Sequence, residues 1–231
     1  MRDLLPSLAL AIGQLRDPAI LRLLAKTMLV TLAIFVVLGF AGYTALQSAL
    51  EAAGLFAGFE YTFLLSALAV LLAGWLLFRI VALAVLQFFA DEVVLAVEAK
   101  HYPAARETAR PLPMGEDLAN SLSGSLRALL VNLAVLLVAL VLLVTGIGTA
   151  IVFWGANGWL LGRELHDMAW LRHRDAEPAP ARLGAGSRFA LGGAVAGLML
   201  VPFVNLLAPI IGAAAATHMV HRRRLADKGL Q

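Results

Sequence analysis

Apolar residues in this chain fall in long runs, and the runs come in two designs. Asp17-Pro18 breaks the chain, with Asp17 suited to an N-cap and Pro18 to the first helical position. An apolar run then extends from Met28 to about Leu50, and another from Tyr61 to Leu95 that is broken only by Arg79 and Gln87. Both are long enough to cross a bilayer, so the pattern predicts spanning helices over 18–50 and 61–98. The turn between them, Glu51 to Glu60, holds no Lys or Arg. The second design is a broken run. Ala128 to Leu161 is interrupted by Thr145-Gly146-Ile147-Gly148-Thr149, and Phe189 to Val220 by Val201-Pro202-Phe203-Val204-Asn205-Leu206-Leu207-Ala208-Pro209. The legs Ala128–Val144 and Ala150–Leu161 are at or below the roughly 20 residues a spanning helix needs. They predict two re-entrant hairpins, 128–162 and 189–221, with ordinary short spans joined at the far surface as the alternative. The remaining segments are an interfacial helix over 1–16, loops over 99–127 and 163–188, and a basic tail over 222–231.

Composition turns this pattern into a class. The 231 residues are 61% hydrophobic and 14% charged, with mean hydropathy +0.86. That is more apolar surface than a soluble core of this size can bury. The expectation is one all-α integral membrane domain. Leu4, Leu5, Leu8, Ile12 and Leu15 recur at helical spacing, which suits a helix lying in the interface. Pro6, the short run and the lack of a cleavage site argue against a signal peptide.

A net charge of +3 would point to nucleic acid in a soluble protein. Here the basic residues sit just outside apolar runs: Lys100, Arg106, Arg110 and Arg127, then Arg163, Arg172, Arg174, Arg182 and Arg188, then Arg222, Arg223, Arg224 and Lys228. This is the positive-inside arrangement, and it puts both termini and both long loops in the cytoplasm. The absence of cysteine excludes disulfides, a thiol nucleophile and thiolate metal ligands.

Several stretches, read in order, resemble the CysZ family of bacterial inner-membrane sulfate permeases, which shares a fold with the etoposide-induced membrane proteins. They are Asp17-Pro18-Ala19-Ile20-Leu21-Arg22, Val97-Glu98-Ala99-Lys100, Gly146-Ile147-Gly148 and the second apex followed by the small residues Gly212 to Thr217. Asn157-Gly158-Trp159-Leu160-Leu161-Gly162-Arg163-Glu164 looks like a less characterised alphaproteobacterial branch. The resemblance implies two long spans, two membrane-dipping hairpins, cytoplasmic termini and assembly into dimers or larger homo-oligomers in the lipid bilayer. It also implies sulfate uptake for cysteine biosynthesis, with sulfate held at the start of the first long helix by a Gly-apolar-Arg motif and a further Arg. In this chain Ala19 replaces the glycine, Leu21 replaces one arginine, and Arg22 is kept.

A helix N-terminus beside a guanidinium is a sound anion site, because backbone amides and bidentate donors act together. The amides of Ala19, Ile20 and Leu21, with Arg22 and Lys26, are therefore the candidate substrate-binding set. An ionised Asp17 would compete for the same amides, and Arg22 and Lys26 could equally be snorkelling anchors. Arg79 and Asn205 are candidate pathway residues. Asn132 and Asn157 read as glue between helices, Glu98, Lys100, Arg163 and Glu164 as interfacial charges, and Gly193-x-x-x-Gly197 as a packing motif. His218 and His221 share a helical face, but no neighbouring carboxylate or thiolate completes a metal set, so no metal or other cofactor is expected. Gly184-Ala185-Gly186 lacks the strand of a dinucleotide fingerprint. With no nucleophile and base in view, the expectation is a transporter of a small oxyanion and not an enzyme, a membrane scaffold being the alternative.

Overall fold

The computed structural model describes residues 3–53, 63–74, 81, 90–110, 112–176, 182–202 and 204–227. Arg79, Gln87, Phe203 and Lys228 lie outside the described residues, as does most of the Glu51–Glu60 turn. In order the helices are α1 (Leu4–Gly13), α2 (Pro18–Ala52), α3 (Phe63–Gly74), α4 (Ala90–His101), α5 (Pro103–Thr108), α6 (Met114–Leu142), α7 (Gly148–Trp170), α8 (Ala185–Leu198) and α9 (Val204–Asp227). Short 3-10 turns cover Gln14–Arg16, Leu143–Thr145 and Leu171–His173. Among the described residues no strand occurs. The fold is that of an all-α membrane protein.

The chain forms two compact units, Leu21–Phe89 and the pair of segments Met1–Ile20 and Ala90–Gln231. In the first, α2 and α3 pack through small residues: Val70 lies against Gly39 and Gly42, and Tyr43 meets Phe63 edge-on with centroids 6.0 Å apart. Outward, α2 exposes Met28, Leu29, Leu32, Val36, Val37 and Phe40. Its 35 residues rise about 52 Å, enough to cross a bilayer core of about 30 Å.

The second unit is built around α9. Residues Ala213 to His221 are buried all round, because α1, α4, α7 and α8 each pack against this one helix. The run Ala213-Ala214-Ala215-Ala216 keeps α9 thin, and Gly212 lets Leu165 of α7 and Val195 of α8 close on it. Against α9, α1 buries Ser7 and Ala11 and the 3-10 turn after it buries Gln14, while Leu5 and Ile12 are left exposed. Those apolar residues are the face that the sequence pattern turns toward lipid.

Glycines on both partners make the α7–α8 contact. A Cβ at Gly162 would collide with the Arg188 carbonyl oxygen, and one at Gly192 with the Gly158 carbonyl oxygen. Gly193 packs under Trp154, whose Nε1–H donates to the Gly193 carbonyl at 3.1 Å. At Gly197 a Cβ would meet no described atom within 4 Å, so of the Gly193-x-x-x-Gly197 motif only the first member needs to be small.

The hairpins form with one change of extent. The segment expected as a loop over 99–127 is largely helical: α5 follows Tyr102, and α6 starts at Met114 with Glu116 and Asp117 in its first turn, where the helix dipole favours acids. The apolar leg is thus the continuation of a helix that begins in polar sequence. At the first apex Gly146 takes φ 69°, which favours glycine. Thr145 closes the turn, its hydroxyl donating to the Leu142 carbonyl at 2.6 Å and accepting from the Gly148 amide at 3.0 Å. The Thr149 hydroxyl reaches the Ala139 carbonyl at 3.2 Å across the hairpin. In the second hairpin α8 has only 14 residues, a rise of about 21 Å, which falls short of the bilayer core.

Candidate functional site

Two groups of polar side chains stand out. The first is the start of α2. The Asp17 carboxylate accepts the Ala19 amide at 3.1 Å and binds the Lys100 ammonium at 2.6 Å. Both contacts favour the ionised form, and the hydrogen bond from Lys100, the largest effect, holds the Asp17 carboxyl below its ordinary range. The Ala19 amide is therefore engaged by the chain's own acid. Ile20 is buried, whereas Ala19, Leu21, Arg22 and Lys26 are exposed. Arg22 and Lys26, at i and i+4, share one face of α2.

The second group is a buried network that the sequence did not announce. On α4 the buried stripe Ala90, Val93, Val94, Val97 ends in Glu98, which is fully buried. Glu98 was expected as an interfacial charge, and the structure corrects this. Helical spacing from Val94 turns residue 98 into the core, and its carboxylate is kept there by partners from two distant elements. His173 Nε2, from the 3-10 turn after α7, lies 2.7 Å from Glu98 Oε1, and His221 Nε2, from α9, lies 3.1 Å from the same oxygen. An ionised carboxylate can only accept, so both imidazoles donate. Arg172 Nη1 stands 4.0 Å from Oε2, and its Nη2 stands 3.9 Å from Asp91.

The two histidines of the 218/221 pair go to different partners. His218 takes Gln14 Nε2 at 2.8 Å on its Nε2 and the Tyr102 hydroxyl at 2.8 Å on its Nδ1. Because Gln14 Nε2 only donates, His218 Nε2 accepts and its proton sits on Nδ1, facing the Tyr102 oxygen. Burial pushes the Tyr102 hydroxyl up to about 12, so it stays neutral, and its ring stacks on His221 with centroids 4.6 Å apart. The network thus ties α1, α4, the turn after α7, and α9 together. The signal for it was the acid on an apolar stripe; its partners lie 75 and 123 residues away in sequence, beyond the reach of any local pattern.

The other candidates separate cleanly. Asn132 and Asn157 donate to the carbonyls of Ala128 and Phe153 on their own helices, both at 2.8 Å. Asn205 is half-buried in the first turn of α9. Pro209 lies four residues on and has no N–H to give the Asn205 carbonyl. Among the arginines between the hairpins, Arg182 lies over the Trp170 ring at 4.2 Å and Arg163 pairs with Asp167 at 3.6 Å.

Comparison with curated proteins and with solved structures returns no match. The model of the sulfate transporter CysZ/etoposide-induced protein 2.4 family, by contrast, matches residues 7–209, from α1 through the first hairpin to Pro209 in the first turns of α9. With apolar helices of spanning length and a match over most of its length, the chain belongs to the sulfate transporter CysZ/etoposide-induced protein 2.4 family.

Proposed function

We propose that this protein carries a small oxyanion, sulfate foremost, across the bacterial inner membrane for cysteine biosynthesis, working as a homo-oligomer with both termini in the cytoplasm. The observation that carries the reading is the family match over residues 7–209. In this reading Arg22 and Lys26 capture the anion at the start of α2 together with the amides of Ile20 and Leu21. Ala19 contributes only when Asp17 lets go of its amide. Arg79 and Asn205 belong to the pathway, the latter through the carbonyl that Pro209 leaves without a backbone donor. The hairpins enter the membrane without crossing it. No catalytic step is invoked.

The test is labelled-sulfate uptake into proteoliposomes holding the purified chain, beside Arg22→Ala protein and empty vesicles. Saturable uptake is expected, falling about tenfold in the variant at low sulfate, since a charged hydrogen bond contributes about 1.5–3 kcal/mol. Uptake no faster than in empty vesicles, from folded protein, would turn the reading to a membrane scaffold. That second reading is favoured by one observation, the occupation of the Ala19 amide by Asp17.

A further inference from the structure

The Glu98 cluster brings two imidazoles and a carboxylate together in the core. Glu98 Oε1, His173 Nε2 and His221 Nε2 all lie within 4.8 Å of one another, and all three side chains are buried. Two imidazoles converge on one carboxylate oxygen, while the other, Oε2, makes no hydrogen bond among the described residues and has Arg172 at 4.0 Å. If satisfying the buried acid were the whole role of the histidines, one on each oxygen would serve better. Three buried ligand-type atoms gathered within 4.8 Å of one another are a set that a small cation can bind by settling between them.

We propose that Glu98, His173 and His221 form a binding site for one divalent first-row cation, zinc foremost. Two imidazole nitrogens and one carboxylate oxygen are a familiar zinc set, which leaves a fourth position for water. Zinc bonds of about 2.0–2.2 Å place tetrahedral ligands about 3.3–3.5 Å apart. To meet this, the nitrogen–oxygen spacings of 2.7 and 3.1 Å open by about 0.2–0.8 Å, and the two imidazole nitrogens, which lie within 4.8 Å of each other, close by up to about 1.5 Å through side-chain rotation. Charge permits it as well. Glu98 and Asp91 against Arg172 leave one net negative charge when both imidazoles are neutral, and on binding a dication each imidazole keeps its proton by shifting it from Nε2 to Nδ1, so no proton is released. Arg172, held by Asp91 at its other nitrogen, stays on Oε2 and orients the carboxylate so that Oε1 faces the ion. Such an ion would clamp α4, the turn after α7 and α9, three elements distant in sequence, at the cytoplasmic end of the buried helix. Its binding is independent of transport.

The full chain, purified in detergent and stripped with a chelator, is titrated with CoCl2 and then ZnCl2. Visible d–d bands are expected on adding cobalt, saturating near one ion per chain and bleached by zinc. His173→Gln should raise the cobalt dissociation constant about 100-fold or more. His218→Gln, which removes the neighbouring imidazole outside the cluster, should leave it unchanged. His173→Cys adds the only thiol in the chain. A folded His173→Cys protein should gain a thiolate-to-cobalt charge-transfer band, a gain of signal that misfolding cannot imitate. Folded wild-type protein without d–d bands overturns the proposal. So do cobalt affinity indifferent to His173→Gln and a folded His173→Cys protein without the charge-transfer band.

Discussion

At the scale of single residues, the start of α2 is governed by Asp17, which serves both as cap and as counterion. Its carboxyl is held below the ordinary range, so the contribution of the Lys100 pair to stability is fully present above pH about 4 and is lost as the pH falls through the lowered value. Lys100 is 55% exposed and Asp17 12%, which places the pair with surface ion pairs of about 1 kcal/mol or less. Asp17→Asn keeps a capping side chain and removes only the charge. It should lower the melting temperature by about 2–4 °C at neutral pH and by less at pH 3, as read by thermal unfolding in detergent. An equal loss at both pH values would show that the charge is idle. Asp17 as cap was legible because capping is local chemistry. Glu98 was not, because its burial depends on which helices meet, and that is set by the alanines of α9 and the glycines of α7 and α8.

Among the elements, the hairpins and their apices could be read from where apolar runs break, since glycine and proline interrupt a helix wherever it lies. The extent of α6 was hidden. Met114 to Arg127 is polar enough to read as loop, yet its acidic first turn and its continuity with the apolar leg make it helix. The packing of α7 on α8 was half legible: Gly193 was visible as a small residue, but the partners Gly158 and Gly162 are known only once the two helices face each other. The contact gives a sharp prediction. In Gly192→Ala the new methyl group meets the Gly158 carbonyl, and the two helices must separate, at a cost of roughly 1–3 kcal/mol. Gly197→Ala, on the same helix with nothing near it, should be neutral or slightly stabilising because alanine favours the helix. Thermal unfolding of the two variants side by side decides it. Equal melting temperatures would mean that backbone contact between α7 and α8 does not hold this unit together.

For the molecule as a whole, the question is how far the hairpins reach into the bilayer: Met114–Thr145 and Val204–Arg223 are long and apolar enough to cross it, and the apices argue for a shorter reach. Leu143, Val144 and Ile147 at the first apex are 66%, 95% and 71% exposed, and Leu200 beside the second is 76% exposed. A turn that emerged into water would be expected to present polar residues. These present aliphatic ones, each of which gains about 1.5–3 kcal/mol on leaving water. The backbone agrees with the side chains: Thr145 and Thr149 occupy carbonyls and an amide that would otherwise lack partners in hydrocarbon, where each unsatisfied group costs several kcal/mol. The 14-residue α8 is too short to carry its apex to the far side. Both apices should therefore end inside the membrane, with the arginine-rich segments at the hairpin feet in the cytoplasm. Because the chain has no cysteine, single-cysteine variants need no prior engineering. In oriented vesicles a membrane-impermeant maleimide should label Arg182→Cys from the cytoplasmic face only, and should leave Val144→Cys and Leu200→Cys unlabelled from either face until the membrane is dissolved. Labelling of Val144→Cys from the outer face would make the first hairpin a pair of full spans and leave the second as the only one that turns back.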